Sequence, residues 1–192
     1  MTAQDLINLT KPILSNISIK SDDDTLLAFL NLAKNQIALD TRLWLDGEEI
    51  TMTSSSQYTL SLIPIQIIDV YDSNLTIRPR NSQEYYGYYQ TSPNTIRVNN
   101  PSSGTKLYVN YYYTPEDYTI TDIVYIPESL LNAVQYYIAH KAYETFKSQN
   151  ELVGSREYLN RYQRAINKYL SMTDENVDTV LDNDMITSKG LV

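Results

Sequence analysis

The apolar positions of residues 127–170 recur every three or four residues, which is the period of an α-helix. Pro127 and Glu128 suit a first helical turn, because proline needs no N–H partner there and a carboxylate meets the positive end of the helix dipole. Gly154, in the stretch 150–155, predicts a break between two helices. The short connection favours an antiparallel helix pair.

Two further helices are predicted at the start of the chain. Thr2 and Asp5 have the spacing of a capping box, which begins a helix that runs to about Ser15. Three carboxylates at 22–24 favour the N-terminal end of a second helix, whose apolar spacing continues to about Thr41. Capping is favoured over metal binding for these carboxylates, because they lack the alternation and the glycine of a calcium loop.

From Leu45 the apolar spacing changes to two residues, which is typical of β-strands. The dipeptide Asp46-Gly47 predicts a hairpin turn. Clusters of Ser, Asn, Asp and Pro separate short strand patterns at intervals of roughly 8–12 residues, as in an antiparallel sheet or a small sandwich. The predicted strands are 49–53, 57–62, 66–72, 75–79, 84–90, 95–99 and 106–113.

These patterns predict an α+β fold, in which a β domain (45–119) is inserted into a helical bundle made of residues 1–44 and 120–172. An extended C-terminal tail, 173–192, follows. The tail has five acidic residues against Lys189 alone, a net charge of −4. It is either a disordered terminus or a segment that folds onto a partner. Its candidate anchors are Val177, Val180, Leu181, Met185, Ile186 and Leu191.

Composition narrows the class of protein. The net charge of −8 argues against sequence-independent binding of nucleic acid. The chain has no cysteine, so disulfides and thiolate metal sites are excluded. Its longest apolar run is too short to span a bilayer, and its first residues do not resemble a signal peptide. We therefore expect a protein that stays in the compartment where it is made, with no membrane partner.

The sequence offers little catalytic chemistry. His140 is the only histidine and lies within a predicted helix, with neither a G-x-S-x-G elbow nor a glycine-rich phosphate loop elsewhere. We predict no enzymatic activity, no catalytic residue, no cofactor and no metal site. Arg161, Arg164 and Lys168 form a basic stripe, which is either a solvated face or a contact with acidic groups of a neighbouring copy.

Tyrosine is unusually frequent, with 18 Tyr against 2 Phe, and this is either compositional drift or a sign of interfaces. Tyrosine-rich strands place phenol groups on both faces of the predicted sheet. A sheet that is apolar on one face and phenolic on the other predicts a surface for a glycan or another protein, built from Tyr86, Tyr88 and Tyr111. Alternatively, the chain's own helices cover that sheet.

Several segments stand in a characteristic order. They are 40–44 (DTRLW), 58–71 (YTLSLIPIQIIDVY), 104–112 (GTKLYVNYY, a G-x-L-x-V-x-Y-Y pattern), 126–134 (IPESLLNAV) and 139–143 (AHKAY). Over residues 1–172 this order resembles the adaptor, or head–tail connector, proteins of tailed bacteriophages, particularly those that form the ring beneath the portal.

The resemblance implies a structural virion protein of the phage neck, assembled in the host cytoplasm as a ring of roughly twelve copies. It implies that the C-terminal tail docks on the portal protein through its apolar anchors. The β domain would face further neck or tail proteins, and genomic DNA would only pass through the lumen. The remaining alternative is a tyrosine-rich β module that binds a glycan or another protein.

Overall fold

The computed structural model describes residues 1–14, 22–73, 87–145 and 149–188, with the backbone alone for 149–151 and 174–188. Within these residues the chain has an α+β fold with four α-helices and two small antiparallel sheets. The chain divides into two compact units. The helical unit comprises Met1–Ile37 and Asp117–Val192, and the β unit comprises Ala38–Glu116. The helices are α1 (Ala3–Thr10), α2 (Asp23–Thr41), α3 (Leu131–Thr145) and α4 (Gln149–Ser188).

The capping box predicted at the start of α1 is confirmed. Thr2 Oγ1 accepts a hydrogen bond from the Asp5 backbone N–H at 3.2 Å, and the Asp5 carboxylate accepts one from the Thr2 N–H at 2.9 Å. Because these bonds favour the ionised carboxylate, they lower the pKa of Asp5. A 3₁₀ turn, Lys11–Leu14, follows α1 directly.

The carboxylates at the start of α2 lie where the helix begins, as predicted. Asp22 Oδ1 accepts a hydrogen bond from the backbone N–H of Thr25 at 2.8 Å, which satisfies one of the free N–H groups of the first turn. Asp23 forms an ion pair with Lys11 at 2.7 Å and accepts a hydrogen bond from Gln4 at 3.0 Å. Asp22 therefore caps α2, and Asp23 connects α2 to the N-terminal segment.

The predicted break at 150–155 is wrong. α3 ends at Thr145 and α4 begins at Gln149, so that Gly154 lies inside α4. A Cβ atom at Gly154 would lie 2.8 Å from the ring of Tyr143. Glycine is therefore placed here for the close approach of α3 and α4, and not for a turn.

The C-terminal boundary also differs from the prediction. α4 continues through Ser188, past the predicted helix end near Leu170, so residues 173–188 are helical and not extended. The physical reason is that the sequence contains no proline after Pro127 and no glycine between Gly154 and Gly190 to end the helix. Residues 189–192 lie outside the described part of the chain.

Two three-stranded antiparallel sheets form the β unit, in the orders β1-β6-β3 and β2-β5-β4. Buried residues from both sheets belong to one apolar cluster, which includes Ile67, Val109 and Ile96. The predicted strand 75–79 and residues 84–86 lie outside the described residues. The strands are β1 (Leu45–Thr51), β2 (Gln57–Thr59), β3 (Pro64–Asp72), β4 (Tyr88–Ser92), β5 (Thr95–Val98) and β6 (Lys106–Tyr113).

The hairpin turn predicted at Asp46-Gly47 is wrong, because both residues lie within β1. Gly47 pairs with Asn110 of β6, and a Cβ atom at Gly47 would lie 2.7 Å from Asn110 Oδ1. Glycine in a strand interior can mark such a close approach of a neighbouring group. The lack of a side chain at position 47 leaves room for the Asn110 amide on that face of the sheet.

Candidate functional site

The three basic residues singled out in the sequence lie together in one groove of the helical unit. This groove, called the α4 groove below, has a volume of about 480 Å³. α4 contributes Arg161, Arg164 and Lys168 to its lining. The other lining residues are Glu128, Ser129, Asn132, Tyr136, Ala165, Tyr169 and Met172.

The cations of the α4 groove differ in their partners. Arg161 is paired with Glu157 one turn earlier and lies 5.3 Å from the ring centre of Tyr158, and the bond to Glu157 raises the pKa of Arg161. Arg164 and Lys168 are exposed, and no ion-pair partner exists for either of them among the described residues. The groove therefore offers two uncommitted positive charges beside apolar side chains, on a chain whose net charge is −8.

A second groove of the helical unit lies along α2. It has a volume of about 460 Å³, and is called the α2 groove below. Leu32 is 46% exposed, although it lies on a helix whose leucines at 26 and 30 are buried. The lining residues are Asp24, Leu27, Ala28, Asn31, Leu32, Asn35 and Asp117. Sequence reasoning missed this surface, and the signal for it was an apolar residue beyond the predicted buried face of the helix.

Polar groups at the α2 groove are only partly satisfied. The Asn31 side chain donates to the Tyr118 carbonyl at 3.1 Å and accepts from the Tyr118 N–H at 2.8 Å. Asp117 is 70% exposed but lies 2.9 Å from the fully buried Lys34 Nζ. Asn35 Oδ1 is buried and has no hydrogen-bond partner among the described residues. The α2 groove is therefore lined by groups that could accept a hydrogen bond or form an ion pair with a cation.

The only histidine takes part in the contact between α3 and α4. His140 Nδ1 lies 2.8 Å from Ser155 Oγ and 3.0 Å from the Ser155 carbonyl oxygen, and Glu144 Oε2 lies 4.0 Å from Nε2. Ser155 is only 4% exposed, so its hydroxyl is closed to a substrate. Burial lowers the pKa of His140, which favours the neutral ring that this packing holds. The contact between His140 of α3 and Ser155 of α4 therefore joins the two helices, while Glu144 lies on α3 beside His140.

The prediction that Tyr88 and Tyr111 form a binding surface is wrong. Tyr88 is 2% exposed and Tyr111 is fully buried, and both belong to the apolar core of the β unit. Alternation along β6 was predicted correctly, but it does not tell which of the two faces is covered. The half-buried tyrosines of β6 are Tyr108, Tyr112 and Tyr113, and Tyr108 stacks on Tyr71 at 5.1 Å between ring centres. The third predicted residue, Tyr86, lies outside the described residues.

The buried Tyr111 has a polar partner inside the β unit. Its hydroxyl donates to Glu48 Oε1, which also accepts from Ser61 N at 2.9 Å and from Ser61 Oγ at 2.8 Å. Burial and the bond to Glu48 raise the pKa of Tyr111 to about 12. This network joins β1, β6 and the loop before β3, and it gives the buried Tyr111 hydroxyl a hydrogen-bond partner.

The predicted anchors of the C-terminal segment are placed only by their backbone. The backbone of Val177, Val180, Leu181, Met185 and Ile186 belongs to α4, and their side chains, like all of Leu191, lie outside the described part of the chain. Among the described residues no group of three or more metal-binding side chains comes together. In the same residues no helix combines the length and the apolarity that crossing a membrane requires.

The described residues thus form an α+β chain with two open grooves on its helices, lined by charged and apolar side chains. A sequence model of the SU10 adaptor protein family matches residues 1–182. The chain therefore belongs to the SU10 adaptor protein family, a family of structural bacteriophage adaptors whose members are virion components. No curated protein matches the chain. Membership in a structural family does not favour enzymatic activity.

Proposed function

We propose that this chain is a subunit of an adaptor ring in the phage neck, which joins the portal to the tail. The observation that carries the proposal is the α4 groove, in which Arg164 and Lys168 lack ion-pair partners among the described residues of a family member with net charge −8. Unpaired charges beside an apolar lining favour a contact with another protein surface. Arg161, Arg164 and Lys168 are accordingly proposed to face the neighbouring subunit.

The C-terminal segment 173–192 is proposed to dock on the portal protein. Val177, Leu181 and Met185 follow one another at intervals of four residues, and this spacing suits an amphipathic helix that enters an apolar groove. Val180, Ile186 and Leu191 complete the proposed set of anchors. The segment is strongly acidic, and we therefore expect basic residues around its docking site.

The β unit is proposed to meet further neck or tail proteins. Because Tyr88 and Tyr111 are buried, the half-buried tyrosines Tyr71, Tyr108 and Tyr112 replace them as candidates for this surface. No observation favours a glycan-binding β module. DNA is proposed to pass through the lumen of the ring, where a net acidic protein would repel the phosphate backbone.

The mass of the purified chain, alone and mixed with the portal protein from the same genome, tests the proposal. We expect a stoichiometric ring on the portal, and a chain that ignores the portal would contradict the adaptor function. Leu181→Asp with Ile186→Asp is expected to abolish binding. The matched control Thr179→Asp adds a negative charge in the same segment without removing an anchor, and it should bind as the wild type does.

A further inference from the structure

We propose that the α4 groove of one copy receives the α2 groove of a second copy of the same chain, so that successive subunits associate head to tail. This inference rests on the proposed ring and specifies its interface. Both surfaces belong to the helical unit, and all their lining residues lie in the described part of the chain.

Charge complementarity is the first argument. The α4 groove carries Arg164 and Lys168, which have no ion-pair partner among the described residues. The α2 groove carries the carboxylate of Asp24, for which the described residues likewise provide no ion pair. It also carries Asp117, whose Oδ1 is paired with Lys34 and whose side chain is 70% exposed. Facing the two grooves would place uncommitted cations against carboxylates, an arrangement that also fixes register.

The other lining atoms support the same match. Leu32 and Met172 are 46% and 49% exposed, and each lies in a groove that leaves it accessible to an apolar partner. Burying Leu32 and Met172 would add the apolar centre that a stable interface needs.

The dimensions of the two surfaces agree. The lining residues of the α2 groove on its helix run from Asp24 to Asn35, and those of the α4 groove on α4 run from Arg161 to Met172. Each stretch spans about 18 Å at the rise of an α-helix. The two groove-lining stretches therefore match in length, as a side-by-side contact between α2 of one copy and α4 of the next requires.

The two grooves are different surfaces, so the interface is heterologous. Such an interface leaves a free α2 groove at one end and a free α4 groove at the other, and repeated association closes into a ring when the rotation between copies allows it. A self-complementary interface would instead stop at a dimer. A single heterologous interface, repeated between successive copies, is therefore sufficient to build a ring.

Charge reversal on each side tests the proposal. The α4 variant is Arg164→Glu with Lys168→Glu, and the α2 variant is Asp24→Lys with Ala28→Lys. All four positions are exposed, so the variants should fold, which circular dichroism checks. Sedimentation velocity with and without the portal protein measures assembly, and Arg156→Glu and Thr25→Lys are the controls at exposed positions outside the grooves.

We expect the association constant of each variant alone to fall by tenfold or more. An equal mixture of the two variants should regain wild-type association, and both controls should assemble like the wild type. In the mixture, two kinds of junction alternate. The α4 groove of the α2 variant meets the α2 groove of the α4 variant with wild-type charges on both sides, and the other junction has the charges of both sides exchanged. If the wild type assembles and both variants do so equally well, the proposed interface is wrong while the adaptor function stands. If the wild type fails to assemble even with the portal protein, both the adaptor function and the proposed interface are contradicted.

Discussion

The β unit and the helical unit differ in the partners of their polar side chains. In the β unit, the buried hydroxyl of Tyr111 donates to Glu48, and that of Tyr58 donates to the Ser55 carbonyl at 2.6 Å. In the helical unit, tyrosines pack α3 against α4, while Arg164 and Lys168 remain uncommitted among the described residues. The buried hydroxyls of Tyr111 and Tyr58 are thus bonded inside the β unit, although Asp69 Oδ1 there is buried without a partner among the described residues. The helical unit, by contrast, presents the charges of Arg164 and Lys168 on an open groove that is available for assembly.

The largest expected effect on stability comes from a substitution that leaves a cavity in the core of the β unit. Tyr111→Ala removes a fully buried ring together with the donor to Glu48, and should cost about 3–5 kcal/mol of unfolding free energy. Trp44 is the only tryptophan and lies in the β unit, so its fluorescence during urea unfolding measures the loss. The control Tyr112→Ala acts at the neighbouring half-buried position. An equal loss in both variants would contradict the assigned faces of β6.

Gly154→Ala examines the contact between the helices. The added methyl group would lie 2.8 Å from the Tyr143 ring, so we expect the free energy of unfolding to fall by about 1–3 kcal/mol. Far-UV circular dichroism during denaturant unfolding measures this change. In a Tyr143→Ala background the obstacle is gone, and the same change should stabilise the helix by about 1 kcal/mol. A glycine that served as a helix break would show no such dependence on Tyr143.

A smaller effect is expected when only the hydroxyl of Tyr111 is removed. Tyr111→Phe deletes one hydrogen bond to a carboxylate and should cost about 1–2 kcal/mol at neutral pH. Because the folded state raises the pKa of Tyr111 to about 12, its stabilising effect is complete below pH 10 and is lost as the pH rises towards 12. Wild type and Tyr111→Phe should therefore differ less in stability at pH 12 than at pH 8, and an equal difference at the two pH values would contradict the buried bond from Tyr111 to Glu48.

His140 is expected to have the smallest effect. Burial lowers the pKa of His140, so the folded state favours the neutral ring. This contribution is complete above the unfolded-state pKa of about 6.5 and declines as the pH falls through the lower folded-state pKa. The difference in stability between wild type and His140→Gln, measured from pH 8 to pH 5, should shrink with acidification. A constant difference would show that His140 does not titrate as the packing against Ser155 requires.

Local signals in the sequence predicted local structure well. The capping box of Thr2 and Asp5 and the cap at Asp22 depend on residues three apart, so the sequence contains everything that determines them. The α+β class followed in the same way from the change of apolar period near Leu45.

Features that depend on distant residues were not predictable. Gly154 and Gly47 have the sequence pattern of a break and a turn, but each accommodates a neighbour, Tyr143 or Asn110, that only the fold brings near. The covered face of β6 depends on the second sheet, which alternation does not specify. The pairing of His140 with Ser155 likewise needs the register of α3 against α4.

The basic residues of the α4 groove were predicted together from their helical spacing, but their complement on α2 was not. Leu32 and Asp24 are ordinary residues of an amphipathic helix, and only the structure shows that they line an open groove. Whether a surface is covered depends on tertiary packing, which a periodic pattern cannot report.

Cysteine cross-linking tests the central claim most directly, because the chain has no cysteine of its own. Ala28→Cys places a thiol in the α2 groove, and Ala165→Cys places one in the α4 groove. Under mild oxidation in the presence of the portal protein, a mixture of the two variants should form a mixed disulfide dimer, while the exposed control Arg156→Cys mixed with Ala28→Cys should not. Equal cross-linking of all pairs, or no disulfide between the Ala28→Cys and Ala165→Cys variants in an assembly like that of the wild type, would contradict the head-to-tail contact.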